Sequence, residues 1–180
     1  MVAQVDASNP TSKAVAPSLA LQGTLQIFTG PDRAFSAGVI AHALRAAGQG
    51  VPVLVVQFLK GGIGQGPDSP MYLCQGLRWV RCNLHRCLDT PHLEIEEQKA
   101  MYELWKYTRR AVHSGRFGLV VLDELSLAIQ FGLIPETEVV ELLEQRPSYM
   151  DVILTGPEMP LALSAMADQV TELRKSVIQP

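Results

Sequence analysis

A three-layer α/β fold, with a mainly parallel sheet carrying helices on both faces, is the architecture this sequence predicts. Two observations carry the prediction. The runs at residues 53–58 (Val-Leu-Val-Val-Gln-Phe) and 119–122 (Leu-Val-Val-Leu) are continuously apolar, as strands buried on both faces are. Helical patterns alternate with such runs along the chain, so the strands are joined by right-handed crossovers and lie parallel. The size agrees: 180 residues, 47% hydrophobic and 18% charged, suit one core and exclude a wholly disordered chain.

The elements follow in order. Residues 1–20 are Ala, Ser, Pro, Val and Thr without helical or strand period and are read as a flexible leader, with one domain over 21–180. Residues 24–29 alternate and then meet Gly30-Pro31, a strand running into a loop. A helix over 36–47 ends at Gly48, with Gly50 and Pro52 beyond it. After the strand at 53–58 comes a more amphipathic one at 77–82. The spacing predicts a long helix over 91–114, with Thr90 as N-cap, Pro91 at the first helical position and Gly115 as left-handed cap. Its early Glu94, Glu96 and Glu97 and late Lys106, Arg109, Arg110 and His113 complement the helix dipole. The strand at 119–122 ends in Asp123-Glu124. Helices at 135–145 and 160–167 flank a strand at 151–155, and a last strand fits 170–174.

Ligands of such sheets sit beyond the carboxyl ends of the strands. Residues 30–36, 57–62, 123–124 and 155–156 are therefore expected along one edge. The net charge of −3 gives no overall drive toward nucleic acid or an anionic membrane. No apolar stretch approaches the about 20 residues of a spanning helix. Three cysteines do not build a disulfide framework, and no secretory signal pattern opens the chain, which points to the cytoplasm.

Four segments together resemble the ATP:corrinoid adenosyltransferase family, whose members have a P-loop NTPase, RecA-like fold. They are Ile27-Phe28-Thr29-Gly30, then residues 46–61 ending in Gln57-Phe58-Leu59-Lys60-Gly61, then Leu122-Asp123-Glu124-Leu125, and residues 152–173 including Thr155-Gly156. The resemblance implies transfer of the adenosyl group of ATP to a reduced corrinoid, with Mg²⁺, in a homodimer. It places Gly30, Arg33, Ser36, Gln57, Lys60 and Thr155 along the nucleotide and corrinoid edge. Ser36, Asp123 and Glu124 become Mg²⁺ candidates, the alternative for the carboxylates being a solvated or helix-capping pair; Lys60 is otherwise a surface charge.

Against the family's phosphate loop, Gly-x-Gly-Lys-Gly-Lys-Thr-Thr, the chain reads Gly30-Pro31-Asp32-Arg33-Ala34-Phe35-Ser36-Ala37. Phe35 stands where the phosphate-neutralising Lys belongs, and packing on the first helix suits it better than a ligand role. Pro31 offers no N–H, Asp32 brings negative charge, and Asp32 and Ala34 replace glycines that would admit positive φ. The aromatic residues that press on the corrinoid in the family are missing from 84–90, and the basic tail that the family places over its site is expected to be lacking. ATP and Mg²⁺ are accordingly expected to bind weakly or not at all, and corrinoid contact to be lost. The leading expectation is a non-catalytic protein- or nucleotide-binding regulatory or assembly factor; the rival is an active adenosyltransferase built on Arg33, Ser36, Asp123 and Glu124.

Two further features stand out. Cys82, His85, Cys87 and His92 supply donors for Zn²⁺ or an iron–sulfur centre, although buried or surface residues without metal would give the same pattern. Residues 61–92 diverge most and form the expected partner surface, with a flexible loop over 61–70. There Met71, Tyr72, Leu73 and Trp79 are either apolar anchors or core.

Overall fold

The computed structural model describes residues 22–30 and 37–174. The sheet has seven strands: β1 (Leu25–Thr29), β2 (Val53–Gly61), β3 (Met71–Leu73), β4 (Leu77–Cys82), β5 (Leu119–Asp123), β6 (Asp151–Thr155) and β7 (Gln169–Glu172). Their order is β3-β4-β2-β5-β6-β1-β7, with every pairing parallel except β3 on β4. The helices are α1 (Ala37–Gly48), α2 (Ile95–His113), α3 (Leu125–Gln130), α4 (Glu136–Glu144) and α5 (Leu161–Met166).

Strand alternation sorts the core into two layers. Val53, Val55, Leu119, Val121 and Ile153 face α1, meeting Val39, Ala43 and Ala47. Leu54, Val56, Val120, Leu122 and Leu154 face the other way, against Met101, Leu104 and Trp105 of α2, Leu127 of α3 and Leu142 of α4. Helices thus cover both faces of a mainly parallel sheet, as the apolar runs require.

Several boundaries differ from the sequence reading. The long helix starts at Ile95, four residues after Pro91, and Thr90 does not cap it. Instead Glu94 and Glu97 form a reciprocal capping box at its start, which wins because it satisfies two backbone donors at once. The left-handed Gly115 that follows is as expected. β2 runs on to Gly61, and the last strand occupies 169–172. Strand β3 and helix α3 were not foreseen. Three residues of β3 are too few for a period, and α3 is hidden because Leu125, Ser126, Leu127 and Ala128 are all buried, which erases the amphipathic stripe.

The segment after Gly61 is tied to β4. Arg81 donates its backbone N–H to Gln65 O at 2.8 Å, and Gly64 N–H reaches Asn83 Oδ1 at 3.0 Å. Gly61 passes so close to the carbonyls of Leu84 and Arg86 that a Cβ would stand 2.7 Å from Leu84 O. Met71 and Tyr72 are exposed, whereas Leu73 and Trp79 pack partly against the α1-side core.

Candidate active-site edge

Side chains at and near the carboxyl ends of the strands meet as a bonded cluster on the α1 face. Asp123 and Thr155 end β5 and β6, Gln57 lies level with Asp123 in β2 just before its bulge, and Trp79 and Arg81 come from neighbouring β4. Cα register pairs Gln57 with both Arg81 and Asp123. Odd-numbered residues of these strands face α1, so strand period puts the five side chains on one face and the register brings them together.

Gln57, 1% exposed, is the centre. Its Nε2 donates to Asp123 Oδ2 at 2.7 Å, while its Oε1 accepts from Trp79 Nε1 at 2.9 Å and Arg81 Nε at 2.7 Å. Thr155 Oγ1 donates to Asp123 Oδ1 at 2.6 Å and accepts the Glu124 backbone N–H at 3.0 Å. The register of β2 on β4 skips from Gln57 to Gly61, and this bulge carries Lys60, whose Nζ stands 3.8 Å from Asp123 Oδ2. The Arg81 guanidinium also lies 5.4 Å from the Trp79 ring centroid.

Both Asp123 oxygens are therefore held, and among the described residues the cation that pairs with them is the Lys60 ammonium. Asp123 carboxylate chemistry suits a hard divalent ion, and lone pairs beyond those used by Gln57 and Thr155 remain on its oxygens. Glu124, 4% exposed, has a left-handed backbone (φ 60°, ψ 26°), a conformation that non-glycine residues adopt at a cost and that recurs at functional sites. Gly156 follows Thr155 with φ 134°, and Ser126 Oγ donates to Pro157 O just behind it.

Of the nucleotide-edge candidates, Gln57, Lys60 and Thr155 come together with the Mg²⁺ candidates Asp123 and Glu124. Gly30 leaves β1 beside β7, where Leu173 N–H bonds Thr29 O at 2.8 Å. Arg33, Ser36 and Phe35 lie outside the described residues. Trp79 and Arg81 were missed as site residues; the signal available was their place in a strand next to Gln57.

The Cys/His cluster does not assemble. Among the described residues no three His, Cys, Asp or Glu side chains are grouped so as to hold a metal. Cys82 turns into the core and donates Sγ–H to Phe58 O at 3.0 Å, and burial pushes its thiol up to about 12, the reverse of what a metal ligand needs. Cys87 is exposed instead. His85 and His92 thus lack the company that the spacing suggested.

The mainly parallel sheet with helices on both faces and a polar cluster at its carboxyl edge is an α/β fold consistent with P-loop NTPase-like architecture. The chain belongs to the ATP:corrinoid adenosyltransferase BtuR/CobO/CobP family, whose model matches residues 21–177. It is 30% identical over 161 residues to the corrinoid adenosyltransferase of Escherichia coli K12, covering 85% of this chain and 77% of that one. It is 29% identical over 161 residues to the corrinoid adenosyltransferase CobA of Salmonella typhimurium, with the same coverage. With that of Pseudomonas aeruginosa it shares 28% identity over 162 residues, covering 84% of this chain and 75% of that one. No described helix is long and apolar enough to cross a membrane.

Proposed function

We propose that this chain is a non-catalytic member of its family, a regulatory or assembly factor that binds a protein or a nucleotide without transferring adenosyl. The observation that carries the reading is Phe35 at the position of the phosphate-binding Lys, within a loop that also holds Pro31 and Asp32. Triphosphate recognition needs converging backbone N–H groups and a cation. Charge arithmetic supports the consequence: losing one cation and gaining one anion a few ångströms from phosphate costs about 1–4 kcal/mol per charge pair in water-like to surface-like surroundings. Useful ATP affinity is lost, and with it the Mg²⁺ that triphosphate would bring. The same reading includes a homodimer and a partner surface over 61–92, where Met71 and Tyr72 are exposed.

A second reading has its own support. The cluster of Gln57, Lys60, Asp123 and Thr155 is intact, and the relatives named above are called corrinoid adenosyltransferases. In that reading the reduced cobalt attacks the ribose 5′ carbon of ATP and expels triphosphate. The protein then contributes positioning and charge stabilisation through Arg33, Ser36, Asp123 and Glu124, and no general base.

One experiment separates them: the purified protein with ATP, Mg²⁺ and chemically reduced corrinoid, followed by the spectrum of the cobalt–carbon bond. No bond formation, with no heat of ATP binding at micromolar concentration in calorimetry, is expected. Turnover would overturn the non-catalytic reading.

A further inference from the structure

On the α2 side of the sheet, away from the Gln57 cluster, α2 and the α3–α4 connection enclose an open groove of about 930 Å³. Its floor is apolar: Met101, Trp105, Phe131 and Leu133 line it, and Trp105 is 5% exposed with its ring centroid 6.1 Å from that of Phe58. Glu138 is the groove's single carboxylate, and it is engaged. Trp105 Nε1 donates to Glu138 Oε2 at 2.7 Å, and Arg109 Nη1 donates to the same oxygen at 3.1 Å. Lys106, which pairs with Glu103 at 3.8 Å, and Arg110 then stand at the mouth as exposed positive charge, beside the exposed ring of Tyr102.

We propose that this groove docks an acidic, apolar-patterned segment of a partner protein. An apolar floor with a cationic mouth matches a segment that buries Leu or aromatic side chains and sets Asp or Glu against Lys106 and Arg110. Because the floor is preformed, only the incoming segment loses freedom on binding. Other occupants fit worse. A second copy would bring a face of α2 on which Glu96, Lys99, Lys106 and Arg110 are exposed, charge of both signs rather than the acidic charge that the mouth complements. Nucleic acid would bring phosphates to a floor of Met101, Leu133 and Phe131, which offer no donors, and to the Glu138 carboxylate. The groove is separate from the edge discussed above, so it stands whether or not adenosyl transfer occurs.

Selection of a random peptide library on the full chain tests this. The expected result is enrichment of peptides that pair Asp or Glu with Leu, Phe or Trp. A synthetic winner, followed by fluorescence anisotropy, should bind the Lys106→Glu, Arg110→Glu double variant about tenfold or more weakly and weaken with added salt. Hydrogen exchange should slow over 98–113 and 131–138 when it binds. Matching thermal melts show that the double variant is folded, and the Lys106→Gln, Arg110→Gln pair serves if charge reversal disturbs it. No enrichment, enrichment of basic or neutral peptides, or binding indifferent to both double variants overturns the proposal. So does a concentration-dependent dimer in sedimentation that Tyr102→Ser abolishes, since a second copy would then own the face.

Discussion

Replacing Gln57 by Met tests whether the carboxyl edge is held as one bonded unit. Met matches Gln in length and fills the same space, so cavity formation contributes little. What disappears is the amide, and with it three hydrogen bonds: one to Asp123 Oδ2 at 2.7 Å, one from Trp79 Nε1 at 2.9 Å and one from Arg81 Nε at 2.7 Å. Asp123 is 2% exposed, so water cannot replace the lost donor, and a charge-assisted bond of this kind is worth about 1.5–3 kcal/mol. The indole N–H adds about 1 kcal/mol. Arg81 is half-buried and rehydrates, so it adds little.

The expected loss is about 2.5–4 kcal/mol, a large share of the about 5–15 kcal/mol that typically holds a domain together. Urea unfolding followed by far-UV circular dichroism should show a lower midpoint with unchanged slope. A double-mutant cycle with Thr155→Val should be non-additive, because Gln57 and Thr155 both act through Asp123. A loss below about 1 kcal/mol, or strict additivity, would refute the bonded-unit argument.

Other outcomes follow from neighbouring geometry. Gly61→Ala should destabilise by about 1–3 kcal/mol, measured by urea unfolding, since the new methyl meets the carbonyls of Leu84 and Arg86. Arg86 Nε lies 2.7 Å from Glu97 Oε1, and the Arg86 hydrogen bond holds the Glu97 carboxyl below its ordinary value of 4.5. A depressed carboxyl stabilises the fold above its unfolded pKa and stops doing so as pH falls through the folded one. Arg86→Met should therefore lower Tm at pH 7 and lose most of that deficit once the pH is well below 4.5. Maleimide should label Cys74 and Cys87 in the native protein and Cys82 only after denaturation, read by mass spectrometry.

Much of the fold was legible because parallel sheets write themselves in uninterrupted apolar runs. Residues 53–56 and 119–122 are buried on both faces, and such runs have few alternative readings. Boundaries settled by side-chain chemistry were less legible. Thr90 and Pro91 form a good start signal, yet Glu94 and Glu97 form a better one four residues on, and the choice depends on which backbone donors end up unsatisfied. The site divides the same way. Gln57, Asp123 and Thr155 could be placed on one edge from strand ends alone. Trp79 and Arg81 could not, because their role depends on the register of β4 against β2.

The cluster also bears on what family resemblance means for this chain. Gln57, Asp123 and Thr155 lie within the segments that carry the resemblance, and in the fold they are buried and bonded to one another. Removing any one leaves a buried polar partner unsatisfied, at a cost of about 1–3 kcal/mol before any ligand is considered. These residues are therefore required for stability with or without ATP, and their presence does not by itself argue for adenosyl transfer. The loop from Gly30 to Ala37 differs in kind, because a phosphate loop's Lys and glycines are specified by the phosphate they hold. If the ligand is gone, a chain can keep the strand-end cluster and still carry Phe35. The decisive variant is accordingly Phe35→Lys with Asp32→Gly and Ala34→Gly. It should raise ATP affinity in calorimetry by about tenfold or more, since each restored charge pair is worth about 1–4 kcal/mol, without conferring cobalt–carbon bond formation. Unchanged ATP affinity in the folded variant would show that the loop is not what limits nucleotide binding.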